Sequence, residues 1–184
     1  RAAVAPVEAA ALLRRYGEVK HRALAVVHDA FVHDGAVVAV LASTEGVPVT
    51  AWLNEPPRVG IAARLDAVRA VVDQAAQGLW ALHRAPGDRS LAHGCFGAAC
   101  VRVEMRGTQP VVRVEAQGWG QVVVPPAWWI CPPEGPAQTP AADVFALGIL
   151  AATLLGGEST AHSPAAVRAR FEALCPEVDA SVVD

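Results

Sequence analysis

Apolar residues recur at helical spacing in two long segments of the chain. Residues 61–84 repeat them every three or four positions, which is typical of an amphipathic helix with a broad buried face. The side chains we expect on that buried face are Leu65, Val68, Val72, Ala75, Ala76, Leu79, Trp80 and Leu82. A second helix is predicted from Pro140, with Thr139 as its N-cap and Gly156-Gly157 at its end. Shorter helices are predicted over 7–16 and 164–174.

Runs of β-branched residues bounded by turn residues predict the strands. Residues 36–42 follow His33-Asp34-Gly35, a sequence typical of a hairpin turn that leads into a buried strand. Two more strands are predicted at 100–104 and 111–115, joined by a turn that contains Gly107. The remaining segments are assigned by their turn residues: a loop over 44–48, a short helical turn over 49–53, a Pro-containing break over 54–60 and an irregular stretch over 116–140.

Composition narrows the class of protein. The chain has 184 residues, of which 53% are hydrophobic and 18% charged, and this favours one well-packed domain. No apolar run approaches the roughly 18 residues of a membrane helix, so no membrane span is expected. The net charge is −3 and the arginines are scattered. A nucleic-acid surface would need a basic stripe, so nucleic acid is not an expected partner.

The four cysteines carry little sequence signal for a metal. Cys95, Cys100, Cys131 and Cys175 form no Cys-x-x-Cys pair and no zinc spacing, and no pair of histidines lies near Cys95 and Cys100. We therefore predict no metal site, and buried free thiols in a reducing, intracellular compartment.

The segment 91–103, LAHGCFGAACVRV, resembles the catalytic loop of a eukaryotic protein kinase with its chemistry replaced. The kinase pattern is His-Arg-Asp-Leu, then a Lys, then an Asn before a short strand. His93 and the spacing are kept. By this resemblance Cys95 stands at the catalytic Asp, Gly97 at the Lys and Cys100 at the Asn.

Other kinase-like motifs follow in the expected order. Ala116-Gln117-Gly118 resembles Asp-Phe-Gly, with Ala116 at the position of the magnesium-binding Asp. Residues 129–134 end in Pro133-Glu134 and resemble the Ala-Pro-Glu end of the activation segment, which gives Glu134 a structural role. Residues 143–150 resemble the helix that begins with a buried Asp, and the resemblance implies that Asp143 accepts backbone N–H groups near His93.

The resemblance implies an α+β, protein kinase-like fold. Residues 1–53 are expected to form a remnant N-lobe with helix, strands and hinge, and 54–184 a mainly α-helical C-lobe with a two-stranded β-ribbon. A Gly-rich loop and a Val-Ala-Ile-Lys strand are missing, and the C-lobe is expected to be truncated at its C-terminal end. An unrelated α/β domain that matches by pattern alone is the structural alternative.

Phosphoryl transfer needs metal ligands and phosphate-binding cations. The chain contains one Lys, Lys20, and one Asn, Asn54, and both lie far from the loop. We therefore expect no catalytic residue, no cofactor and no binding of ATP–Mg, and a pseudokinase-like domain that acts as a scaffold, an allosteric regulator or a structural subunit of a protein complex. The alternative is a divergent enzyme, either a slow kinase or one with other nucleotide-dependent chemistry. His93 is expected to anchor the loop; its alternative role is general base for Cys95.

A protein partner is expected along residues 7–42. The missing outer strands would leave strand 36–42 with an unpaired edge and the apolar side of helix 7–16 uncovered. Arg14 and Arg15 lie on the exposed side of this surface. The adjacent Trp128 and Trp129 either form a second contact or pack on the domain.

Overall fold

The computed structural model describes residues 4–54, 61–87, 90–122 and 138–156. Its helices are α1 (Pro6–Glu18), α2 (Val49–Asn54), α3 (Ile61–His83), α4 (Trp119–Val122) and α5 (Pro140–Gly156), with a 3-10 turn at Ala98–Cys100. Its strands are β1 (Val27–His33), β2 (Ala36–Leu41), β3 (Val47–Pro48), β4 (Val101–Arg106) and β5 (Gln109–Val114). The predicted break at 54–60 and helix at 164–174 fall outside the described residues, except for Asn54, the last residue of α2.

Helix α1 packs against the antiparallel hairpin of β1 and β2. The predicted turn is confirmed: Asp34 and Gly35 both have positive φ, 49° and 76°, as a two-residue hairpin of the right twist requires. The apolar face of α1 is covered, because Ala9, Ala10, Leu13 and Tyr16 are buried. The expectation that this face is uncovered was therefore wrong.

Strand β2 is not the buried strand that its sequence predicts. Its residues are exposed or half-buried, and Val40 and Leu41 are about two-fifths exposed (42% and 41%). Val37 and Ala39 pack into the small cluster around Leu13, so only one face of the strand is covered. A continuous apolar run signals burial on both faces only where a second layer exists.

Helices α3 and α5 pack against each other, as predicted, and share the main core with α2, β4 and β5. The buried stripe of α3 is narrower than its sequence suggests. Its fully buried side chains are Val68, Val71, Ala75, Leu79 and Leu82, whereas Leu65 and Trp80 are 50% and 60% exposed. Trp80 lies one residue, about 100° of helix rotation, beyond Leu79. Its ring stacks under the guanidinium of Arg84 instead.

The second sheet has the order β3-β4-β5 and is antiparallel. The predicted ribbon is confirmed, but it is longer: pairing runs to Arg106 and Gln109, and the turn is reduced to Gly107 and Thr108, with Gly107 at φ 65°. The short β3 adds a third strand where a loop was predicted. Leu24, between α1 and β1, forms an isolated β-bridge with Val114 of β5, which joins this part of the chain to the second sheet.

Helix α5 begins as the sequence predicts. The Ala142 amide donates to Oγ1 of Thr139 at 3.2 Å, so Thr139 is the N-cap and Pro140 the first helical residue. The short α4 lies in the stretch that was predicted to be irregular. None of the helices in the described ranges has the length and apolar character that crossing a membrane requires.

Candidate functional site

The carboxylate of Asp143 fixes the backbone of the loop at 91–97. Its Oδ2 accepts the amide of His93 at 2.6 Å and its Oδ1 accepts the amide of Gly94 at 3.1 Å, which confirms the expected contact. His83 on α3 contacts the same carboxylate through Nε2 at 3.0 Å. Asp143 is 2% exposed. A carboxylate so deeply buried is tolerated because several donors satisfy it.

His93 is fully buried, in agreement with an anchoring role. Its Nε2 lies 2.7 Å from the carbonyl oxygen of Glu115. A carbonyl only accepts hydrogen bonds, so Nε2 carries the proton and donates. The ring meets the edge of Phe96 at a centroid distance of 5.5 Å. Its other nitrogen, Nδ1, has no hydrogen-bond partner among the described residues.

Cys95 and Cys100 lie beside this ring. The 3-10 turn at Ala98–Cys100 brings the second thiol back over the loop, where its Sγ lies 3.5 Å from the carbonyl oxygen of Cys95. A ring nitrogen of His93 and the two sulfur atoms all lie within 4.8 Å of one another. Side chains two residues apart on a loop need not face each other, but the structure brings those of His93 and Cys95 together.

The two thiols influence each other in opposite directions. The neighbouring Cys100 thiol lowers the pKa of Cys95, and His93 and the Gly120 amide act in the same direction against the effect of burial. The pKa of Cys100 is raised, first by its hydrogen bond with Cys95 and then by burial. Cys95 is therefore the thiol that ionises first.

The segment Ala116-Gln117-Gly118 links this site to α1. Ala116 and Gly118 have φ of 60° and 80°, and Ala116 holds this left-handed conformation while its carbonyl accepts the amide of Trp119. The buried Gln117 donates through Nε2 to the carbonyls of Val114 at 2.7 Å and Ala25 at 3.1 Å. Gly118 faces the ring of Tyr16, which leaves no space for a Cβ atom.

Helix α4 packs directly on the loop. A Cβ atom at Gly120 would overlap the carbonyl group of Gly94. The Gln121 side chain lies close to where a Cβ atom at Gly94 would be, and it donates to the carbonyl of Gln138 at 3.0 Å. Sequence reasoning missed this contact. The two glycines, two residues apart in Gly118-Trp119-Gly120, were the available signal of a close backbone approach.

Two further residues of the site were also missed. Tyr16, the only tyrosine of the chain, donates from its hydroxyl to the carbonyl of Ala92 at 2.5 Å. Glu115 is half-buried, accepts a hydrogen bond from Thr44 and lies 3.7 Å from Arg102. Burial raises the pKa of Glu115 and the Arg102 charge opposes that rise.

The remaining sequence-predicted residues lie elsewhere. Gly97 has an extended backbone and precedes the 3-10 turn. Arg14 is exposed and pairs with Asp29 at 3.0 Å, while Arg15 is half-buried. Trp128, Trp129 and Glu134 fall outside the described residues.

No protein-family model matches this chain, and no curated protein matches its sequence. Solved structures do match. A double mutant of the PknI kinase domain from Mycobacterium tuberculosis superposes with a TM-score of 0.65 at 21% identity, over 92% of this chain and 65% of that chain. The maize SIRK1 kinase domain bound to AMP-PNP gives 0.68 at 18% identity, over 98% and 68%. A single mutant of PknI gives 0.61 at 20% identity, over 78% and 54%.

The chain therefore has an α+β, protein kinase-like fold. It spans about two thirds of the length of the first of these kinase domains (65%). The alternative of an unrelated domain that matches by pattern alone is excluded.

Proposed function

We propose that this chain is a pseudokinase-like binding domain that does not transfer phosphate. It serves a larger protein assembly as a scaffold, an allosteric regulator or a structural subunit. The observation that carries the proposal is that the kinase-like framework around Asp143 is intact while the positions that would hold the chemistry are apolar or thiol side chains.

The framework is supported by three buried contacts. Asp143 holds the loop backbone, His93 donates to Glu115, and Gln117 donates to two carbonyls. These contacts keep the loop and the segment after β5 in one fixed arrangement. Such contacts maintain a binding surface as well as they maintain an active site.

The residues at the positions that the resemblance assigns to catalysis argue against phosphoryl transfer. Phosphoryl transfer depends on carboxylate and amide ligands for magnesium and on cations for phosphate. Ala116 has no ligand atom, and Gly97 has no charge. Cys95 and Cys100 are 4% and 3% exposed and face each other beside His93, away from solvent. No group at these positions is suited to hold magnesium and nucleotide together.

Helix α4 further opposes a kinase reaction. It rests on Gly94, next to the position that the resemblance gives to the catalytic base. The amide of Gly118 also donates to the carbonyl of His93 at 3.2 Å. The loop backbone at Gly94 is therefore packed against α4, and the neighbouring Cys95 is buried.

A binding role is supported by the hairpin. Among the described residues β2 pairs only with β1, so its outer edge presents unpaired backbone groups. Four apolar side chains on the hairpin are between 38% and 42% exposed: Phe31, Val32, Val40 and Leu41. Soluble proteins cover such edges, and a partner strand or loop is the covering we infer.

The test is the response of the chain to nucleotide. We expect millimolar ATP with magnesium to leave the Tm unchanged, because the chain lacks the groups that would hold it. A ligand that did bind, at a hundredfold excess over its Kd, would add about 2.7 kcal/mol of stability and raise the Tm. A catalytically active kinase domain in the same buffer is the positive control, and radiolabelled phosphate transfer to a generic protein substrate is the second readout. A clear rise in Tm with ATP–Mg, or phosphate transfer, would favour the divergent enzyme and overturn the proposal.

A further inference from the structure

The His93, Cys95 and Cys100 side chains form the one group of three potential metal ligands found within the described residues. We propose that this group binds a single zinc ion. The inference is independent of the proposed function, and it reverses the expectation of no metal that the cysteine spacing produced. The spacing of the cysteines does not reveal the site, because it depends on the 3-10 turn that brings Cys100 close to His93.

The imidazole is already prepared as a ligand. Its Nε2–H donates to the Glu115 carbonyl, which fixes the tautomer and leaves the lone pair on Nδ1. Nδ1 is buried and has no hydrogen-bond partner among the described residues. Metal-binding histidines in proteins donate their other ring N–H to a carbonyl or carboxylate in this way. An unsatisfied buried acceptor otherwise costs free energy that a bound cation would recover.

The two thiols supply the donors that select zinc. Thiolate and imidazole ligands favour zinc or copper(I) over magnesium or calcium. In the complex both cysteines are thiolates, so the Zn²⁺ ion, two thiolates and a neutral imidazole have no net charge. Copper(I) with the same ligands would leave one uncompensated negative charge. Neutrality favours zinc, because both cysteines and His93 are buried and a net charge there is costly.

The separations between the ligand atoms are slightly longer than in a zinc complex, and rotation of the side chains would shorten them. Tetrahedral zinc with bonds of about 2.3 Å to sulfur separates its two sulfur ligands by about 3.8 Å. A ring nitrogen of His93 and the two sulfur atoms are within 4.8 Å of one another, so movements of about 1 Å suffice. The Gly120 amide lowers the pKa of Cys95, and it would help to stabilise the sulfur as a thiolate. A water molecule or a backbone oxygen completes the coordination.

The experiment uses the full chain, stripped of metal by a chelator and kept reduced with a phosphine. Cobalt(II) alone is titrated first. We expect a thiolate-to-cobalt charge-transfer band that saturates at one ion per chain and disappears when zinc is added. Cys100→Ser should lose the band and weaken zinc binding by more than about tenfold. The matched control, Cys131→Ser with Cys175→Ser, should keep the charge-transfer band and the affinity for zinc.

A second measurement covers the case in which Cys100→Ser does not fold. In the unmutated chain, zinc should protect Cys95 and Cys100 from alkylation several-fold, relative to Cys131 and Cys175, as read by peptide mass spectrometry. The inference is overturned if cobalt gives no charge-transfer band, if folded Cys100→Ser retains it, or if zinc leaves the alkylation of Cys95 and Cys100 unchanged. None of these readouts involves nucleotide, so the inference and the proposed function fail separately.

Discussion

Tyr16 shows how one side chain connects distant parts of this molecule. It lies on the buried face of α1, its hydroxyl donates to the Ala92 carbonyl, and its ring rests on Gly118. Burial raises its pKa well above the ordinary value of 10.0, and the negative charge of Asp143 adds to the rise. The phenol therefore stays protonated in the folded chain at pH values where it would ionise in the unfolded chain.

The resulting pH dependence has a definite sign. Above about pH 10 the unfolded chain releases the Tyr16 proton and the folded chain keeps it, so the free energy of unfolding falls as pH rises. We expect Tyr16→Phe to lose about 0.5–1.5 kcal/mol near pH 8, the value of the hydrogen bond. The variant should lose less stability than the parent on going to about pH 10.5, because Phe does not ionise.

Urea unfolding of both proteins at the two pH values measures this difference. Tyrosinate absorbance is a direct check, since Tyr16 is the only tyrosine in the chain. It should rise together with the loss of circular dichroism. An ordinary titration near pH 10 in protein that is still folded would contradict the buried placement.

At the scale of elements, two glycines distinguish a packed position on a helix from an exposed one. Gly120 on α4 has no space for a Cβ atom because of the Gly94 carbonyl. Gly148 lies inside α5 on an exposed position, and no atom among the described residues lies within 4 Å of the Cβ it would gain. The same substitution should therefore have opposite effects at the two positions.

We expect Gly120→Ala to lower the free energy of unfolding by about 1–3 kcal/mol, since backbone would have to shift to admit the methyl group. Gly148→Ala should raise it by about 0.5–1 kcal/mol through helix propensity. Denaturant unfolding of the two variants and the parent gives both numbers. If Gly120→Ala proves neutral, α4 does not rest on the loop. If Gly148→Ala is destabilising, another part of the chain covers that face of α5.

At the scale of the whole molecule, the proposed partner surface extends over α1 and the β1–β2 hairpin. Arg14 marks its exposed side, where it pairs with Asp29, and both side chains are 55% exposed. Exposed ion pairs contribute at most about 1 kcal/mol, so their loss leaves the fold intact. Reversal of charge at an interface rim reduces association much more than it reduces stability.

Arg14→Glu should therefore fold and lose most of its co-purifying partner protein, measured by quantitative mass spectrometry of the tagged chain recovered from cells. Arg106→Glu is the matched control. It makes the same change in net charge at an exposed position, and Arg106 is also ion-paired, to Glu104. The interface lies elsewhere if the first variant keeps every partner of the parent, or if both variants lose them equally.

The sequence by itself determined the long helices, the hairpin turn and their order along the chain. Helical spacing located α3 and α5, the Thr139-Pro140 pair located the start of α5, and Asp34-Gly35 located the hairpin turn. These signals are local, because caps, turns and periodicity depend on neighbours within a few residues. The contact of Asp143 with the loop was also predictable, but only through the resemblance of its motif to kinases.

The tertiary structure alone decided burial and the contents of the site. Strand β2 and Trp80 are apolar yet exposed, because burial depends on whether another layer covers them. The meeting of His93, Cys95 and Cys100 depends on a turn that the spacing does not reveal, and the packing of α4 on Gly94 depends on two glycines facing each other. Contacts between residues far apart in sequence are fixed by how the elements pack, and a linear pattern carries that information only weakly.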